Sequence, residues 1–459
     1  MTGLEAYKEK FGDSGRKVLE HAMNESRRRD QNFITIEHIL GALADEESDL
    51  FNGTMHDLQV DPRSVRLLIE KKLSVAAQHT GKGFRIAPET TDLFKRAMDR
   101  ARAQGRRTIE ATDLFSAVSH EDGLLMAPTE RRSTGTKKIA RALWYVAPGQ
   151  VELRPQPVAA PVAGEAQVQT LYSGISRGTE RLVLAGKVGQ SEWQRMRAPL
   201  QAGNFPFPVK YGYCAVGIVT AGPESLRGKT VFCLHPHQDW FNVPVDRLTV
   251  VPTPVPPRRA TLAANMETAL NGLWDSGAGP GDRIAVVGGG IVGLLIARLA
   301  ARLPGATVTL VDVDTTRALL ADHLGAKFAI PTEAPREADI VFHTSASAAG
   351  LNTAIGLAGE EATVVEMSWY GEQATSVELG GPFHSRRLKL LSSQVGKISA
   401  SRRIRWDFAR RLEAALKLLD DPALDALVTE AIPFADAAKL LPERLGSSAS
   451  GIAPVIDYR

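Results

Sequence analysis

Two stretches near the start of the chain repeat the same order of apolar and polar positions. Residues 17–43, KVLEHAMNESRRRDQNFITIEHILGAL, align with residues 92–118, DLFKRAMDRARAQGRRTIEATDLFSAV, at a constant offset. Each copy has the pattern of a helix, a polar turn and a second helix, and Thr35 supplies a start signal for one second helix. The repeat predicts stacked helical units that share one core. The apolar positions of this second helix have helical spacing: Ile36, Ile39, Leu40 and Leu43.

The pattern changes beyond the polar, basic stretch PTERRSTGTKK, residues 128–138, which is typical of a linker. Residues 139–260 hold short β-rich runs separated by proline and glycine, and these predict a small, barrel-like all-β unit. From residue 283 onward, strand patterns alternate with helix patterns, beginning with RIAVVGGG and IVGLLIARLAARL. Such alternation predicts a doubly wound parallel sheet.

A glycine-rich turn joins the first strand and helix of this alternating part. Gly288, Gly290 and Gly293 have GxGxxG spacing, which permits a tight turn, close approach of a pyrophosphate and packing of the helix on the strand. A phosphate there would lie at a helix N-terminus. Asp312 ends the next strand and favours NAD(H) over NADP(H), because it can accept from both ribose hydroxyls, although Arg317 nearby would weaken that preference. The alternative is a glycine turn that binds no nucleotide.

Composition narrows the class of protein. The chain has 459 residues, which favours two to four domains, and 44% hydrophobic with 23% charged residues is ordinary for a globular protein. A net charge of +3 gives no sign of a nucleic-acid or membrane-surface partner. The longest apolar run, residues 284–297, is shorter than the roughly 20 residues of a membrane span. With no secretory signal pattern at the N-terminus, we expect a cytoplasmic protein.

The first part of the chain resembles the N-terminal double repeat of the Clp chaperone ATPases, through its helices VLEHA and ITIEHIL. The resemblance covers about residues 10–127 and implies an all-α domain, residues 1–127, that docks protein partners and does no chemistry. Two features depart from that family. The second copy ends near HEDGLLMAPT, before the closing helix that SVRLLIEKKL predicts for the first copy, and no ATPase follows. The stretch GPESLRGKT, residues 222–230, does not match the phosphate-binding P-loop of ATPases. It has five residues between its glycines rather than four, and a strand pattern rather than a helix pattern follows it.

The rest of the chain, about residues 139–459, resembles the medium-chain dehydrogenase/reductases, the alcohol dehydrogenase-like family. YSGISRGTE, KYGYCAVG and AVVGGGIVG occur in the order and spacing of that family. The resemblance implies a homodimer and two domains. The β-rich GroES-like catalytic domain comprises residues 139–265 and 400–459, and the α/β Rossmann NAD-binding domain comprises residues 266–399.

The zinc-ligand positions that this resemblance implies hold other residues. Ser176 occupies the first-cysteine position, Tyr213 occupies the position of the histidine, and no cysteine lies in AANMETAL, residues 263–270. We therefore expect no zinc, as in the zinc-free branch that includes bacteriochlorophyllide dehydrogenase. Cys233, His235 and His237 alternate in VFCLHPHQ, but the proline among them interrupts the strand, so single contacts to substrate are favoured over a metal site.

Without zinc, oxidation of an alcohol needs a positioned base or hydrogen-bond donor. His235 is the first candidate because histidine titrates near neutral pH, and Ser176 is a candidate hydroxyl relay. Tyr213 can donate to a carbonyl oxygen, while Glu180 and Glu267 are reserve acids. Each also has a purely structural interpretation. The predicted catalytic residues are therefore His235, Ser176, Tyr213, Glu180 and Glu267.

The resemblance also implies that Arg177 can reach the cofactor pyrophosphate, and a planar guanidinium suits that role. Pairing of Arg177 with Glu180 is the alternative. The predicted cofactor-contacting residues are Gly288, Gly290, Ile291, Val292, Gly293, Asp312, Arg317, Arg177, Ser345 and Ser368.

The leading hypothesis is a zinc-independent, NAD(H)-dependent oxidoreductase that moves hydride between nicotinamide and an alcohol or carbonyl substrate. Residues 1–127 would add a protein-interaction module. One alternative is an inactive NAD(H)-binding protein that works as a Clp-linked adaptor. Another is that the joining of the two parts has no functional meaning. The substrate itself is not evident from the sequence.

Overall fold

The computed structural model describes residues 9–31, 33–57, 62–75, 85–118, 138–446, 449 and 451–459. The chain divides into two compact units, Met1–Arg132 and Ser133–Arg459. The division falls within the predicted linker 128–138. That linker, apart from Lys138, lies outside the described residues, as does the predicted end of the second repeat copy at HEDGLLMAPT.

The first unit is helical, as predicted. The second helix of the first copy begins after Thr35, whose backbone N–H donates to Nδ1 of His38 at 3.3 Å. The short strand β1 (Phe33–Ile34) follows the turn of the first copy, whereas β2 (Arg85–Ile86) precedes the first helix of the second copy. The two strands pair in parallel. The helices are α1 Asp13–Arg28, α2 Ile36–Glu46, α3 Ser48–Asp57, α4 Pro62–Val75, α5 Pro88–Ala103 and α6 Ala111–Val118.

The two repeat copies share a core. Leu19 and Leu40 of the first copy and Phe94 of the second are buried in one apolar cluster. A polar contact reinforces this core, because Ser14 Oγ donates to Glu110 Oε2 at 2.6 Å. The predicted sharing of one core by both copies is therefore confirmed.

The second unit contains the remaining strands and helices. Its strands are β3 Lys138–Ala147, β4 Gln150–Val158, β5 Glu165–Gly174, β6 Ala202–Gly203, β7 Val209–Lys210, β8 Ala215–Ala221, β9 Thr230–Cys233, β10 Trp240–Pro244, β11 Thr249–Val250, β12 Arg283–Val287, β13 Thr307–Val311, β14 Lys327–Ala329, β15 Ala338–His343, β16 Ala358–Glu366, β17 Lys389–Ser392, β18 Ala431–Pro433 and β19 Val455–Asp457. Its helices are α7 Arg177–Leu184, α8 Pro257–Ala260, α9 Ala263–Ser276, α10 Ile291–Ala301, α11 Ala318–His323, α12 Ala348–Leu357, α13 Pro382–Ser385, α14 Phe408–Leu418 and α15 Ala437–Arg444.

The β-rich part of this unit forms two sheets. One has the order β11-β9-β8-β5-β19-β18, with β10 also pairing with β5, and the other has the order β4-β3-β7-β6. Strand β5 is the centre of the larger sheet, because β8, β10 and β19 all pair with it. The end of β5 leads directly into Ser176 and helix α7, so this sheet positions the segment that the sequence singled out.

The alternating part forms a parallel sheet of order β14-β13-β12-β15-β16-β17. Numbered within this sheet, the order is that of the dinucleotide-binding fold, and it reverses between β12 and β15. Ligands of such sheets bind in the crevice beyond the carboxyl ends of the strands at that reversal. The predicted doubly wound sheet is confirmed, and the reversal lies at the glycine-rich turn.

The C-terminal stretch divides between the two parts of this unit. Leu412 and Leu416 of α14 pack into the apolar cluster that also holds Ile284 and Val286 of the parallel sheet. Strand β19, in contrast, joins the β-rich part through β5. The same cluster also holds Tyr172, Val216 and Val455 of the β-rich part, so the packing of α14 does not assign it to one part alone. The predicted return of residues 400–459 to the catalytic domain therefore stays a prediction. The boundary between the two domains remains a prediction.

Across the described segments, none of the helices combines the length and apolar character needed to cross a membrane.

Candidate functional site

The glycine-rich turn forms an open cradle at the start of α10. Gly288 has φ +114°, and a Cβ there would lie 2.7 Å from Thr344 Oγ1. A Cβ on Gly293 would lie 2.0 Å from the carbonyl oxygen of Gly288, whereas one on Gly290 would meet no atom within 4 Å. Gly288 and Gly293 are thus required by packing, and the space in front of Gly290 is free for a ligand.

The other predicted cofactor residues near this turn have different environments. Ile291 is buried and Val292 packs against the same apolar cluster, so these two residues can offer an anion only their backbone N–H groups. Ser345 follows β15 and is exposed. Ser368 follows β16, and its hydroxyl accepts from the backbone N–H of Ala346 at 3.0 Å.

Asp312 ties the end of β13 to the glycine turn. Its Oδ2 accepts from the Gly289 N–H at 2.5 Å, and its Oδ1 accepts from the Asp314 N–H at 2.8 Å. Arg317 pairs with Asp314, with Nε 3.3 Å from Oδ2. A fixed carboxylate beside an open cradle fits a nicotinamide dinucleotide, because carboxylates accept several hydrogen bonds and the cradle leaves room for phosphate.

The second part of the site surrounds the carboxylate of Glu180, which is 1% exposed. Its Oε1 accepts from the Ser176 N–H at 2.8 Å, which closes the first turn of α7. Its Oε2 accepts from the Tyr145 hydroxyl at 2.6 Å and lies 3.0 Å from His237 Nε2. The predicted alternative of a pair between Glu180 and Arg177 is therefore wrong, because Glu180 points into the core toward a tyrosine and a histidine.

The network continues beyond His237, which is 0% exposed. His237 Nδ1 lies 2.7 Å from Ser173 Oγ, and Ser173 Oγ lies 2.8 Å from the Tyr458 hydroxyl. Burial raises the pKa of Tyr145, and the adjacent Glu180 carboxylate raises it further. The result is a continuous hydrogen-bonded line from Tyr145 to Tyr458, which we call the Glu180 network: Tyr145, Glu180, His237, Ser173 and Tyr458.

Sequence reasoning missed most of this network. Tyr145 and Tyr458 carry no motif, and Ser173 lies within YSGISRGTE without a predicted role. For His237, the sequence suggests only a metal ligand or a substrate contact. A local signal does exist at Gly212, which has φ +113° and on which a Cβ would lie 2.8 Å from the ring of His237. A glycine between two tyrosines in a strand pattern indicates a close approach, although it does not say by what.

His235 lies two residues away in a different environment. Its ring stacks on Phe241 with 3.7 Å between centroids, and its Nδ1 lies 2.8 Å from the carbonyl oxygen of Pro236. Burial lowers the pKa of His235 to about 3, and the charge of Lys210 lowers it further. The prediction that His235 titrates near neutral pH is therefore wrong, since its ring is a weak base in this pocket.

Lys210 is a buried titratable group that the sequence did not reveal. Its ammonium donates to Gln156 Oε1 at 3.0 Å and to Gln238 Oε1 at 2.8 Å. Burial lowers the pKa of Lys210 to about 8. A single lysine at the end of a short strand gives no sequence signal for such a shift.

Tyr213 and Ser176, both predicted catalytic residues, lie close together. Burial raises the pKa of Tyr213, while the nearby hydroxyls of Ser176 and Thr179 oppose that rise. The side chain of Tyr213 is only partly covered. Tyr213 is therefore protonated at neutral pH and can donate to an oxygen placed before it.

Glu267 forms a separate buried ion pair. Its Oε1 lies 3.0 Å from Arg411 Nε, and Arg411 also donates to Asn271 Oδ1 at 2.8 Å. Burial raises the pKa of Glu267, and the Arg411 cation opposes that rise. The guanidinium bridges α9 and α14, so this carboxylate is engaged in holding two helices together.

The guanidinium of Arg177 donates to two backbone carbonyls of the same chain. Nη1 donates to the Gly451 carbonyl and Nη2 to the Ala449 carbonyl, both at 2.6 Å. Within the described part of the chain, its Nε is buried without a hydrogen-bond partner. Burial lowers the pKa of Arg177, and the cations of Arg181 and Arg317 lower it further. The predicted contact of the Arg177 guanidinium with a pyrophosphate would require release of these two carbonyls.

The residues at the implied zinc positions do not fit that metal. Ser176 and Tyr213 offer neutral hydroxyls, whereas zinc sites use thiolate, imidazole or carboxylate ligands. In the described ranges, no group of three histidine, cysteine or acidic side chains is placed to hold a metal ion. Cys233, His235 and His237 do not converge, because His235 stacks on Phe241 while His237 faces the Glu180 network.

The first unit matches a known family. Residues 10–127 match the Clp repeat (R) N-terminal domain. This range covers both repeat copies and the α-helical core that they share.

Solved structures match the second unit in fold. A putative zinc-binding dehydrogenase from Sinorhizobium meliloti 1021, bound to NADP, is 19% identical, with a TM-score of 0.56. An alcohol dehydrogenase from Escherichia coli CFT073, complexed with NADH, is 15% identical, also with a TM-score of 0.56. A thermostable alcohol dehydrogenase from Pyrobaculum aerophilum is 20% identical, with a TM-score of 0.55. Each match covers 70% of this chain and 99–100% of the other.

These matches agree with the helical repeat and with the β-rich and parallel sheets described above. The chain thus joins a Clp repeat N-terminal domain to a unit with the fold of the zinc-type medium-chain alcohol dehydrogenases.

Proposed function

We propose that residues 138–459 form a nicotinamide-dependent oxidoreductase that moves hydride between the nicotinamide and an alcohol or carbonyl substrate. The observation that carries this proposal is the cradle at Gly290, open to a ligand and flanked by the fixed carboxylate of Asp312. Its position at the strand-order reversal is where dinucleotides bind in such sheets. The placement of Asp312 supports a preference for NAD(H).

The bound cofactor would supply or accept the hydride, and the protein must manage the proton. Tyr213 holds its proton at neutral pH and can donate it to a carbonyl oxygen during reduction. Ser176 contacts Tyr213 and can stabilise the resulting oxygen by a hydrogen bond. Glu180 fixes the backbone of Ser176 and so positions both groups. We propose that this pair of hydroxyls works without zinc.

The first unit supports a second part of the proposal. A Clp repeat N-terminal domain with no ATPase motif elsewhere in the chain favours a protein-interaction role for residues 1–127. We propose that it docks a protein partner and that the dehydrogenase unit forms a homodimer.

One observation favours the alternative of a protein that binds NAD(H) without turnover. The low pKa of His235 removes the residue best suited to act as a base, and Glu180 is fully engaged in the core. If Tyr213 does not exchange a proton with substrate, no acid or base remains at this position among the predicted residues.

Two measurements on the full-length protein test the proposal. Tryptophan fluorescence titrations with NADH and NADPH should show NADH binding at least about tenfold tighter, and binding of neither cofactor would overturn the proposal. A screen of alcohols and carbonyl compounds on chelator-treated protein should then reveal turnover. Tyr213→Phe should lower kcat by about 100-fold with little change in NADH affinity. Binding of NADH without turnover would favour the alternative.

A further inference from the structure

A serine, a histidine and a glutamate lie in one hydrogen-bonded line at the carboxyl edge of the parallel sheet. Ser345 Oγ lies 2.7 Å from His343 Nε2, and His343 Nδ1 lies 2.7 Å from Glu366 Oε2. The histidine is 0% exposed, whereas Ser345 is exposed. Proton transfer at Tyr213 makes no use of these three residues, and they do not belong to the Glu180 network, although Ser345 is one of the predicted cofactor contacts.

Glu366 is held as an anion. Its Oε1 accepts from the Ser368 N–H at 2.7 Å, and its Oε2 accepts from the Tyr370 hydroxyl at 3.1 Å. Burial alone would raise the pKa of Glu366, but bonds from His343 and Ser368 outweigh burial, and its pKa lies below the usual value. An ionised carboxylate can only accept, so His343 donates to Glu366 from Nδ1, and in its neutral form the ring presents the lone pair of Nε2 to Ser345.

The backbone places Ser345 between a strand and a helix. It lies between β15 and α12, beside Ala346, which has φ +51°. A Cβ on Gly350 would lie 2.0 Å from Ser345 Oγ and 2.9 Å from His343 Nε2, so a glycine is required for the serine and histidine to meet.

We propose that Ser345 is a nucleophile for acyl transfer, that His343 is its general base, and that Glu366 is the positioning residue. The substrates would be small esters or thioesters. This proposal does not rest on the proposed hydride transfer. Triads of this kind are recognised by geometry and roles, and they occur on unrelated folds.

The reaction balances with water as the only co-reactant. Ser345 Oγ attacks the acyl carbonyl carbon while its proton passes to His343 Nε2, and the leaving alcohol or thiol then takes that proton. A water next gives a proton to Nε2 and attacks the acyl carbon. The bond from that carbon to Ser345 Oγ then breaks, the Nε2 proton returns to Oγ, and a carboxylic acid leaves. The backbone N–H groups of Ala348 and Ala349, which open α12, are the proposed donors for the oxyanion, since the Gly350 N–H already donates to Ser347 Oγ.

Labelling with a fluorophosphonate probe tests the nucleophile in the full-length protein. We expect one adduct per chain, mapped by peptide mass to Ser345. Ser345→Ala should abolish the adduct, and Ser376→Ala, which changes an exposed serine in a nearby loop, should leave it unchanged. No adduct on the folded wild-type protein, or an adduct that survives Ser345→Ala, would overturn the proposal.

Hydrolysis of p-nitrophenyl acetate tests the roles of the other two residues. Ser345→Ala should lower kcat/KM by at least about 100-fold. Glu366→Gln keeps the size of the side chain and should lower kcat by about 10- to 100-fold with KM unchanged, because it disturbs the histidine tautomer. Far-UV circular dichroism checks that each variant is folded. If both folded variants hydrolyse the ester at the wild-type rate, the three residues have only a structural role.

Discussion

The two ends of the candidate site are built from different material. The cofactor end is backbone: three glycines and one carboxylate lie within residues 288–312, and the carboxylate itself binds a backbone N–H. The proposed catalytic end is a set of side chains from separate parts of the chain, in which the Glu180 network fixes the backbone of Ser176. A site made of backbone should be damaged by added atoms. A site made of buried polar side chains should be damaged by lost atoms and by pH.

The largest loss of unfolding free energy should come from removing the Glu180 carboxylate. Glu180→Ala leaves the Tyr145 hydroxyl, His237 and the Ser176 N–H without their common acceptor, at an expected cost of about 3–5 kcal/mol in unfolding free energy. All six tryptophans lie in the second unit, so urea unfolding followed by tryptophan fluorescence reports on that unit alone. Glu224→Ala, at an exposed position, is the matched control. Equal stability of the two variants would show that the network contributes nothing.

The next effect should come from adding an atom at the cofactor end. Gly293→Ala places a Cβ against the Gly288 carbonyl and should lower stability by about 1–3 kcal/mol. Gly290→Ala adds the same atom in open space, so its stability should match the wild type while its NADH affinity falls. Urea unfolding and NADH titration of both variants separate packing from binding. A loss of stability in Gly290→Ala would contradict the statement that the space in front of Gly290 is open.

A pH change should act through His235 at the catalytic end. Its folded pKa, about 3, lies below the ordinary value near 6.5, so the unfolded chain takes up a proton first as pH falls. The stability that this histidine contributes is complete above pH 6.5 and declines below it, by roughly 2 kcal/mol between pH 6.5 and pH 5. His235→Phe keeps a ring on Phe241 and should flatten that part of the pH profile. His384→Gln, at an exposed position, should retain the wild-type slope.

The smallest effect should be a change of cofactor preference. Asp312→Asn keeps an acceptor for the Gly289 N–H and removes the negative charge that repels a 2′-phosphate. The ratio of NADPH to NADH dissociation constants should fall by about tenfold, which corresponds to about 1.4 kcal/mol. Asp322→Asn, an exposed acid on α11, should leave the ratio unchanged. An unchanged ratio in Asp312→Asn would remove the argument for NAD(H).

The same contrast explains which parts of the fold and of the candidate site could be predicted from the sequence. Gly288, Gly293 and Asp312 are close in the chain and obey fixed spacings, so the parallel sheet and its cradle were predictable. Tyr145 and Tyr458 meet Glu180 and Ser173 only after folding, and no spacing relates them. The pKa values of His235 and Lys210 depend on burial, which periodicity describes for apolar residues but not for single polar ones.

The pairing of β19 with β5 also has a consequence for biosynthesis. Strand β19 emerges from the ribosome roughly 280 residues after β5, a delay of about 14–56 s at common rates of translation. During that interval Ser173 lacks the hydroxyl of Tyr458, and Arg177 lacks the carbonyls that it later binds. The helical first unit precedes all of these segments and can fold while they are still being made. The Glu180 network can therefore be completed only after β19 has been made.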